Sequence, residues 1–305
     1  MNKNTKIKWL FKNDSGAIRN GWWIAIFVAL VAITRPVYAF LKTTIQDAGA
    51  GPEILELIPI GLILIVSFIC LKLRKESLAD IGLRLNKKAG GLFLKGVGIA
   101  SLQVSFIMLA IYAVGGVSFE YNHTLVLASL LTPMYLVLLT ATFEEILSRG
   151  FVFQRLIDGI GLFGALLITG LAFSIGHWEN PEMSGMIKVV ASINLGLSAI
   201  IFGLAYYKTK SLLLPIGLHF AWNFVMGRVF GVGVSGFQND GVLLANVSES
   251  TIWLTGGKFG PEASIFATVA ELIVLYIIWK WKTEDDGKRE NNSQLNKAVP
   301  ANEAA

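Results

Sequence analysis

The run Met134-Tyr135-Leu136-Val137-Leu138-Leu139 passes with no break signal into Phe143-Glu144-Glu145-Ile146-Leu147-Ser148-Arg149, and the helical pattern continues through Phe151, Val152, Phe153 and Leu156. If this stretch crosses a bilayer, both carboxylates lie well inside it. A charge at that depth costs roughly 2.5–3.5 kcal/mol on insertion scales, so an intramembrane carboxylate is a functional-site candidate by default. The fold and the function both turn on what surrounds Glu144 and Glu145.

The composition supports a membrane setting. Of 305 residues, 54% are hydrophobic and 15% charged, with a mean hydropathy of +0.60. Soluble domains carry about 25% charged residues, so the expected fold is all-α: a polytopic bundle of about eight transmembrane helices around a polar cavity. The net charge of +5 raises nucleic acid as a partner, but the charge distribution argues against it. Cys70 is the only cysteine, which excludes a disulfide framework and a cysteine metal cluster. A metal would need carboxylates and the three histidines, His123, His177 and His219.

Residues 1–20 are polar and basic and are expected in the cytoplasm. The first apolar segment, 21–41, exceeds the ~7–15 residues of a signal-peptide apolar region, so it reads as an uncleaved first helix. Further spans are expected at 54–71, 91–114, 130–158, 161–177, 186–207, 212–229 and 263–281, each near the ~20 residues a hydrocarbon core requires. Residues 77–84 alternate apolar and polar side chains in a way suited to the membrane interface. A Gly-rich loop is expected over 231–261, and the polar tail 283–305 reads as disordered. Lys and Arg concentrate at one end of this arrangement; only Arg35, Lys42, Lys188, Arg228 and Lys258 fall at the other. The bias predicts both termini in the cytoplasm of a multi-pass cell-membrane protein. The basic excess is therefore a topology signal with some anionic lipid contact, not a nucleic-acid footprint.

Helical rise then tests whether the polar residues meet. Measured from the cytoplasmic ends, Glu144 lies roughly 21 Å in, His177 roughly 22 Å, His219 roughly 14 Å and Asn223 roughly 20 Å. Glu145 and Arg149 are spaced i, i+4 and can pair, while Glu144 is turned about 100° away, free to face a cavity. Phe173 and His177, and His219 and Asn223, share the same i, i+4 spacing. Each feature also has a purely structural reading. The glutamates and arginine form an ion-pair lock, His177 caps a helix end, and His219 with Asn223 bonds neighbouring helices. His123, beside Tyr121 and Asn122, reads as an ordinary loop residue. The convergence of two of three histidines with an intramembrane glutamate weakens the structural alternative.

Such a set permits water activation. A glutamate in a low-dielectric site can act as general base, and a nearby histidine can orient the water or protonate a leaving amine. A second histidine with an asparagine amide can donate to a developing oxyanion. Alternatively, Glu144, His177 and His219 form a zinc site with an open fourth position. The sequence lacks His-Glu-x-x-His, which excludes an ordinary zincin helix.

Glu144-Glu145-x-x-x-Arg149, Phe173-x-x-x-His177 and His219-x-x-x-Asn223 together resemble the three motifs of the CPBP family. That family comprises CAAX prenyl proteases, bacteriocin-processing or bacteriocin-immunity proteins and abortive-infection relatives. The resemblance covers roughly 130–230. Leu78-Ala79-Asp80-Ile81-Gly82-Leu83 and Thr255-Gly256-Gly257-x-Phe259-Gly260-Pro261-Glu262 also look like bacterial members. The resemblance implies a membrane protease domain over 21–282, with a motif core over 130–230 and a cavity open to the cytoplasm. It implies an intramembrane endopeptidase of a bacterial plasma membrane, with a peptide or membrane-associated protein as substrate. Glu144 would activate water with His177, His219 and Asn223 would form the oxyanion hole, and Glu145, Arg149 and Phe173 would support them. The family carries the metalloprotease label, but the glutamate-base scheme needs no metal, so a metal-free route is favoured over zinc. Two other readings use the same fold: a non-proteolytic immunity or scaffold protein, and a proton-coupled transporter. The transporter is opposed by the absence of repeat symmetry in the sequence.

Overall fold

The computed structural model describes residues 10–13, 15–248 and 252–282. The expected tail, 283–305, lies outside the described residues, as do residues 1–9 of the basic N-terminal segment. Among the described residues the main helices are α1 (Asn20–Asp47), α2 (Leu57–Leu73), α3 (Lys87–Ala113), α4 (Leu131–Arg149), α5 (Phe151–Gly176), α6 (Gly185–Thr209), α7 (Leu213–Phe224) and α8 (Ile265–Lys280). Five stretches are long and apolar enough to cross a membrane: Asn20–Asp47, Pro52–Leu73, Lys87–Ala113, Leu127–Gly176 and Gly185–Thr209. The fourth of these contains both α4 and α5. Helix α7 has only 12 residues, extended by a π-helical turn at Val225–Val229, and α8 has 16. Apolar side chains cover the outside: Leu102, Phe106 and Leu109 of α3 are exposed while Val104, Ile107 and Met108 are buried. Such a surface suits hydrocarbon, and helices suit it because they satisfy their own backbone polar groups. The protein is a mostly helical, multi-pass membrane protein.

Three expectations change. The continuous helix over 130–158 is interrupted at Gly150, whose φ and ψ of −71° and −119° end α4 and cap α5. A Cβ at Gly150 would lie 2.3 Å from the Ile146 carbonyl oxygen, so this break requires glycine. A second kink follows at Gly161 inside α5. The all-α bundle also carries one short β-ribbon. Val117–Tyr121 (β1) pairs antiparallel with Leu243–Val247 (β2), in register from Val117 opposite Val247 to Tyr121 opposite Leu243. Val, Phe and Tyr in the first strand suit a half-buried ribbon, which the Gly-rich character of 231–261 obscures. Residues 77–84, finally, fold as turns, and Ile81 is fully buried in the bundle.

The connections gather at two opposite ends. At the end where α1 begins and α8 stops, Arg155 ion-pairs with Glu76 at 2.9 Å and Asp158 at 3.3 Å, and Gln154 donates to the Asp80 carbonyl at 3.0 Å. The Asp80 carboxylate accepts the backbone N–H and hydroxyl of Ser77, at 2.7 and 2.8 Å; those two bonds, with Arg84 nearby, hold its pKa below the usual carboxylate range. At the opposite end lie the β-ribbon, the α5–α6 connection and the long α7–α8 connection.

Helix α7 is set deep against α3. A Cβ at Gly96 would come 2.5 Å from the Leu214 carbonyl oxygen, and one at Gly217 would come 2.2 Å from that of Phe93. Backbone meets backbone at this crossing, which small residues permit. Gly217 lies two positions before His219, so the close approach fixes how far that histidine reaches into the bundle.

Candidate active site

Helices α4, α5 and α7 deliver their motif residues to one cavity of about 490 Å³, lined by Glu144, Phe173, His177, His219 and Asn223, together with Ser198 and Phe202 of α6. The four expected reactive side chains are brought together. Glu145 and Arg149 lie behind the wall, each with a side chain 0% exposed.

The two glutamates separate as their spacing predicts. Arg149 Nη1 donates to Glu145 Oε1 at 3.0 Å, and its Nη2 donates to the Ala199 carbonyl at 3.1 Å. The guanidinium lies between two aromatic faces, 5.3 Å from the Phe173 ring centre and 5.4 Å from that of Phe202. Burying a lone charge in a bilayer is very costly, so the pair, the carbonyl and the two rings act as one unit. Phe173 thereby acquires a physical role: it faces Arg149 on one side and stands 4.5 Å from the His177 ring and 6.1 Å from that of His219.

His219 joins the buried pair to the cavity. Its Nδ1 lies 3.0 Å from Glu145 Oε1, and its Nε2 lies 3.8 Å from Glu144 Oε2. The ring stacks on Phe202 at 5.2 Å with an interplanar angle of 18°. Donation from Nδ1 to Glu145 fixes the ring and leaves Nε2 for the cavity. The 3.8 Å gap to Glu144 is too long for a direct hydrogen bond. Glu144 keeps 28% of its side-chain surface exposed, in contrast to Glu145. His177 caps the end of α5, where its Nδ1 lies 2.8 Å from the Phe173 carbonyl, which directs its other nitrogen away from its own helix. The cap expected as a structural alternative is therefore present, on a residue that also lines the cavity.

Among the described residues no group of three His, Cys, Asp or Glu side chains is arranged to hold a metal ion; the contact of His219 Nδ1 with Glu145 leaves Nε2 free on the cavity side. His123 stays outside the site, packed against Tyr121 at 4.9 Å.

The structure adds residues that the motifs do not contain. Glu262 enters the cavity wall from the α7–α8 connection, and Asn180, Arg228, Ser235, Phe237 and Asn239 line its outer part. Glu271 of α8 is buried behind it and accepts the Ser198 hydroxyl at 2.7 Å. Glu271 carried the same signal as Glu144, an ionisable residue in an apolar helix. Asn180, Ser235 and Phe237 belong to the end of the bundle opposite the start of α1 and the finish of α8.

Comparison with known proteins agrees with the three motifs. Residues 124–225, which contain all of them, match the model of the family described as type II CAAX prenyl endopeptidase Rce1-like. A protein of Methanococcus maripaludis named CAAX prenyl protease 2 is 27% identical over 164 residues. That similarity covers 53% of this chain and 53% of the relative, so the chain spans about half the length of the curated protein it matches. The resemblance read from Glu144-Glu145-x-x-x-Arg149, Phe173-x-x-x-His177 and His219-x-x-x-Asn223 agrees with this match: across its motif core the chain is similar to the Rce1-like CAAX prenyl endopeptidases.

Proposed function

We propose that the chain is an intramembrane endopeptidase that hydrolyses a peptide bond with water activated by Glu144. One observation carries this reading: Glu144, His177, His219 and Asn223 line a single cavity, and Glu144 is the exposed member of the glutamate pair. Glu144 takes a proton from water as the water oxygen bonds to the substrate carbonyl carbon. The negative charge that develops on the carbonyl oxygen meets the Asn223 amide and, in the imidazolium form of His219, the Nε2–H. Collapse breaks the C–N bond, and the leaving amine takes a proton from Glu144 or His177. The route uses the chain's own side chains and needs no metal.

The substrate in this reading is borne by the membrane. A second, mostly apolar cavity of about 510 Å³ opens between α1, α4 and α5 and shares Glu144, Phe173, Gly176 and His177 with the first. An apolar segment lying there would bring its neighbouring backbone to Glu144. The name of the Methanococcus relative supports a peptide substrate of the CAAX prenyl class. The Lys and Arg bias supports cytoplasmic termini, and the cavity-lining Asn180, Ser235 and Phe237 then lie toward the far face.

The direct test compares membrane peptides from cells carrying the wild-type chain or Glu144→Gln. Peptides cut only by the wild type are expected, with folding and insertion of the variant unchanged. Equal cleavage by Glu144→Gln would remove the proposed base.

A further inference from the structure

The segment Thr255-Gly256-Gly257-Lys258-Phe259-Gly260-Pro261-Glu262 stands apart from the three motifs, yet it ends in a carboxylate on the cavity wall. We infer that Glu262 is a positioning residue of the active site: it sets the rotation of the α7 face that carries His219 and Asn223 and fastens the mouth loop to that face. This role rests on the endopeptidase reading, although the contacts that define it do not.

The Glu262 side chain is 4% exposed, and each of its oxygens has a separate task. Oε1 accepts the Trp222 indole N–H at 3.0 Å. Oε2 accepts the Ser235 backbone N–H in a short contact and the Ser235 hydroxyl at 3.0 Å. His219, Trp222 and Asn223 are spaced i, i+3 and i+4, so they lie one above another on one face of α7. Holding Trp222 therefore holds both reactive neighbours. Ser235 in turn presents its carbonyl to Asn180 Nδ2 at 3.0 Å, three residues past His177. One carboxylate thus joins the α7 face, the mouth loop and the segment that follows His177.

The support beneath Glu262 is itself well fixed. Asn194 Nδ2 of α6 donates to the Glu262 carbonyl at 2.7 Å and the Ser264 carbonyl at 3.0 Å, while its Oδ1 accepts the Thr268 hydroxyl at 2.7 Å. Gly260 turns the chain with φ +110°, and a Cβ there would sit 2.0 Å from the Gly233 carbonyl oxygen. The segment singled out in the sequence is a mount that delivers one carboxylate at a fixed height. A buried, fully bonded carboxylate on a rigid support suits positioning, since geometric error in the reacting groups is costly in rate.

The test separates the two oxygens. Protein labelled with 5-fluorotryptophan gives a ¹⁹F line for Trp222, assigned by its loss in Trp222→Phe. In Glu262→Ala this line is expected to shift, and kcat to fall at least about tenfold. Glu262→Gln retains an oxygen for Trp222 but turns its amide toward Ser235, so the Trp222 line and kcat should stay close to wild type while KM rises. Combining Trp222→Phe with Glu262→Ala should cost no more in kcat than the larger single loss. An unmoved Trp222 line in Glu262→Ala would overturn the assignment. So would equal kcat losses in Glu262→Gln and Glu262→Ala, which would indicate a role for the charge itself. If wild-type protein cleaves no peptide, the endopeptidase reading fails, and the ¹⁹F line still decides the positioning role. If Glu262→Ala does not fold, Glu262→Gln and Trp222→Phe carry the comparison.

Discussion

The His219 ring lies between two adjacent glutamates, with Nδ1 3.0 Å from Glu145 and Nε2 3.8 Å from Glu144. Its first nitrogen belongs to the buried Glu145–Arg149 pair and its second to the cavity, so the structural and chemical parts of the site share one imidazole. Substitutions on either side of that ring should therefore fail differently.

On the cavity side, Glu144→Gln should lose about 10²–10⁴-fold in turnover, the usual contribution of a general base. Thermal stability should change little, because Glu144 is partly exposed and Glu145 retains its partner. Turnover and melting temperature measured on the same purified protein check both halves; a large stability loss would mean that Glu144 belongs to the lock instead.

On the buried side, Arg149→Ala should destabilise the protein by about 3–5 kcal/mol, because it strips the fully buried Glu145 carboxylate of its cationic partner. Arg149→Lys should recover only part of this, since a single ammonium cannot serve Glu145 and the Ala199 carbonyl with a planar fork. Denaturation in detergent ranks the three proteins, and equal stability of Arg149→Lys and wild type would refute the two-partner role.

Single cysteines test the two ends of the bundle. In a Cys70→Ala background, Leu85→Cys and Phe237→Cys, at positions 88% and 57% exposed, should react with an impermeant maleimide from opposite sides of the membrane. The Lys and Arg bias predicts Leu85→Cys on the cytoplasmic side. Reaction of both from one side would refute the order of crossings, and the reverse assignment would restore a cytoplasmic mouth.

The α3–α7 crossing offers a mechanical test. Gly217→Ala places a methyl against the Phe93 carbonyl and must push α7 outward, carrying His219 with it. A displacement of about 1 Å in a reacting group costs about 10²-fold in rate. Gly98, where an added Cβ meets nothing within 4 Å, provides the control, and Gly98→Ala should retain full turnover.

At the other end, the lowered Asp80 carboxyl sets a pH window. A depressed folded-state pKa contributes stability above the unfolded value, near 3.9, and loses it as pH falls through the folded value. Hydrogen exchange at the Ser77 amide should therefore be insensitive to Asp80 ionisation from about pH 5 to 8 once the intrinsic rate is divided out. Protection should fall only under stronger acid, and a loss of protection near pH 6 would contradict the shift.

The sequence made the membrane setting, the three motif helices and the separation of Glu144 from the Glu145–Arg149 pair legible, because all follow from apolar length and the 3.6-residue period. It hid the break at Gly150, since one glycine inside an apolar run does not announce a helix end. It hid the β-ribbon, whose partners Val117 and Val247 lie far apart in the chain. The pairing of His219 with Glu145 was hidden as well: helical depth put His219 at the level of Glu144 but could not show which nitrogen faces which carboxylate. Glu262 was visible only as the end of the Gly-rich segment Thr255-Gly256-Gly257-Lys258-Phe259-Gly260-Pro261-Glu262, because the contacts that give it meaning come from Trp222 and Ser235 on other stretches.

The size of the cavity beside Glu144 carries a consequence for the proposed endopeptidase. An α-helix with its side chains is about 10–12 Å across, whereas a space of about 490 Å³ is of the scale that holds a small molecule. A space of that scale suits an extended segment beside Glu144 better than an intact helix. Whatever segment is cut there must first give up its helical hydrogen bonds, so chains that unwind readily at the membrane would be selected before any side chain is read.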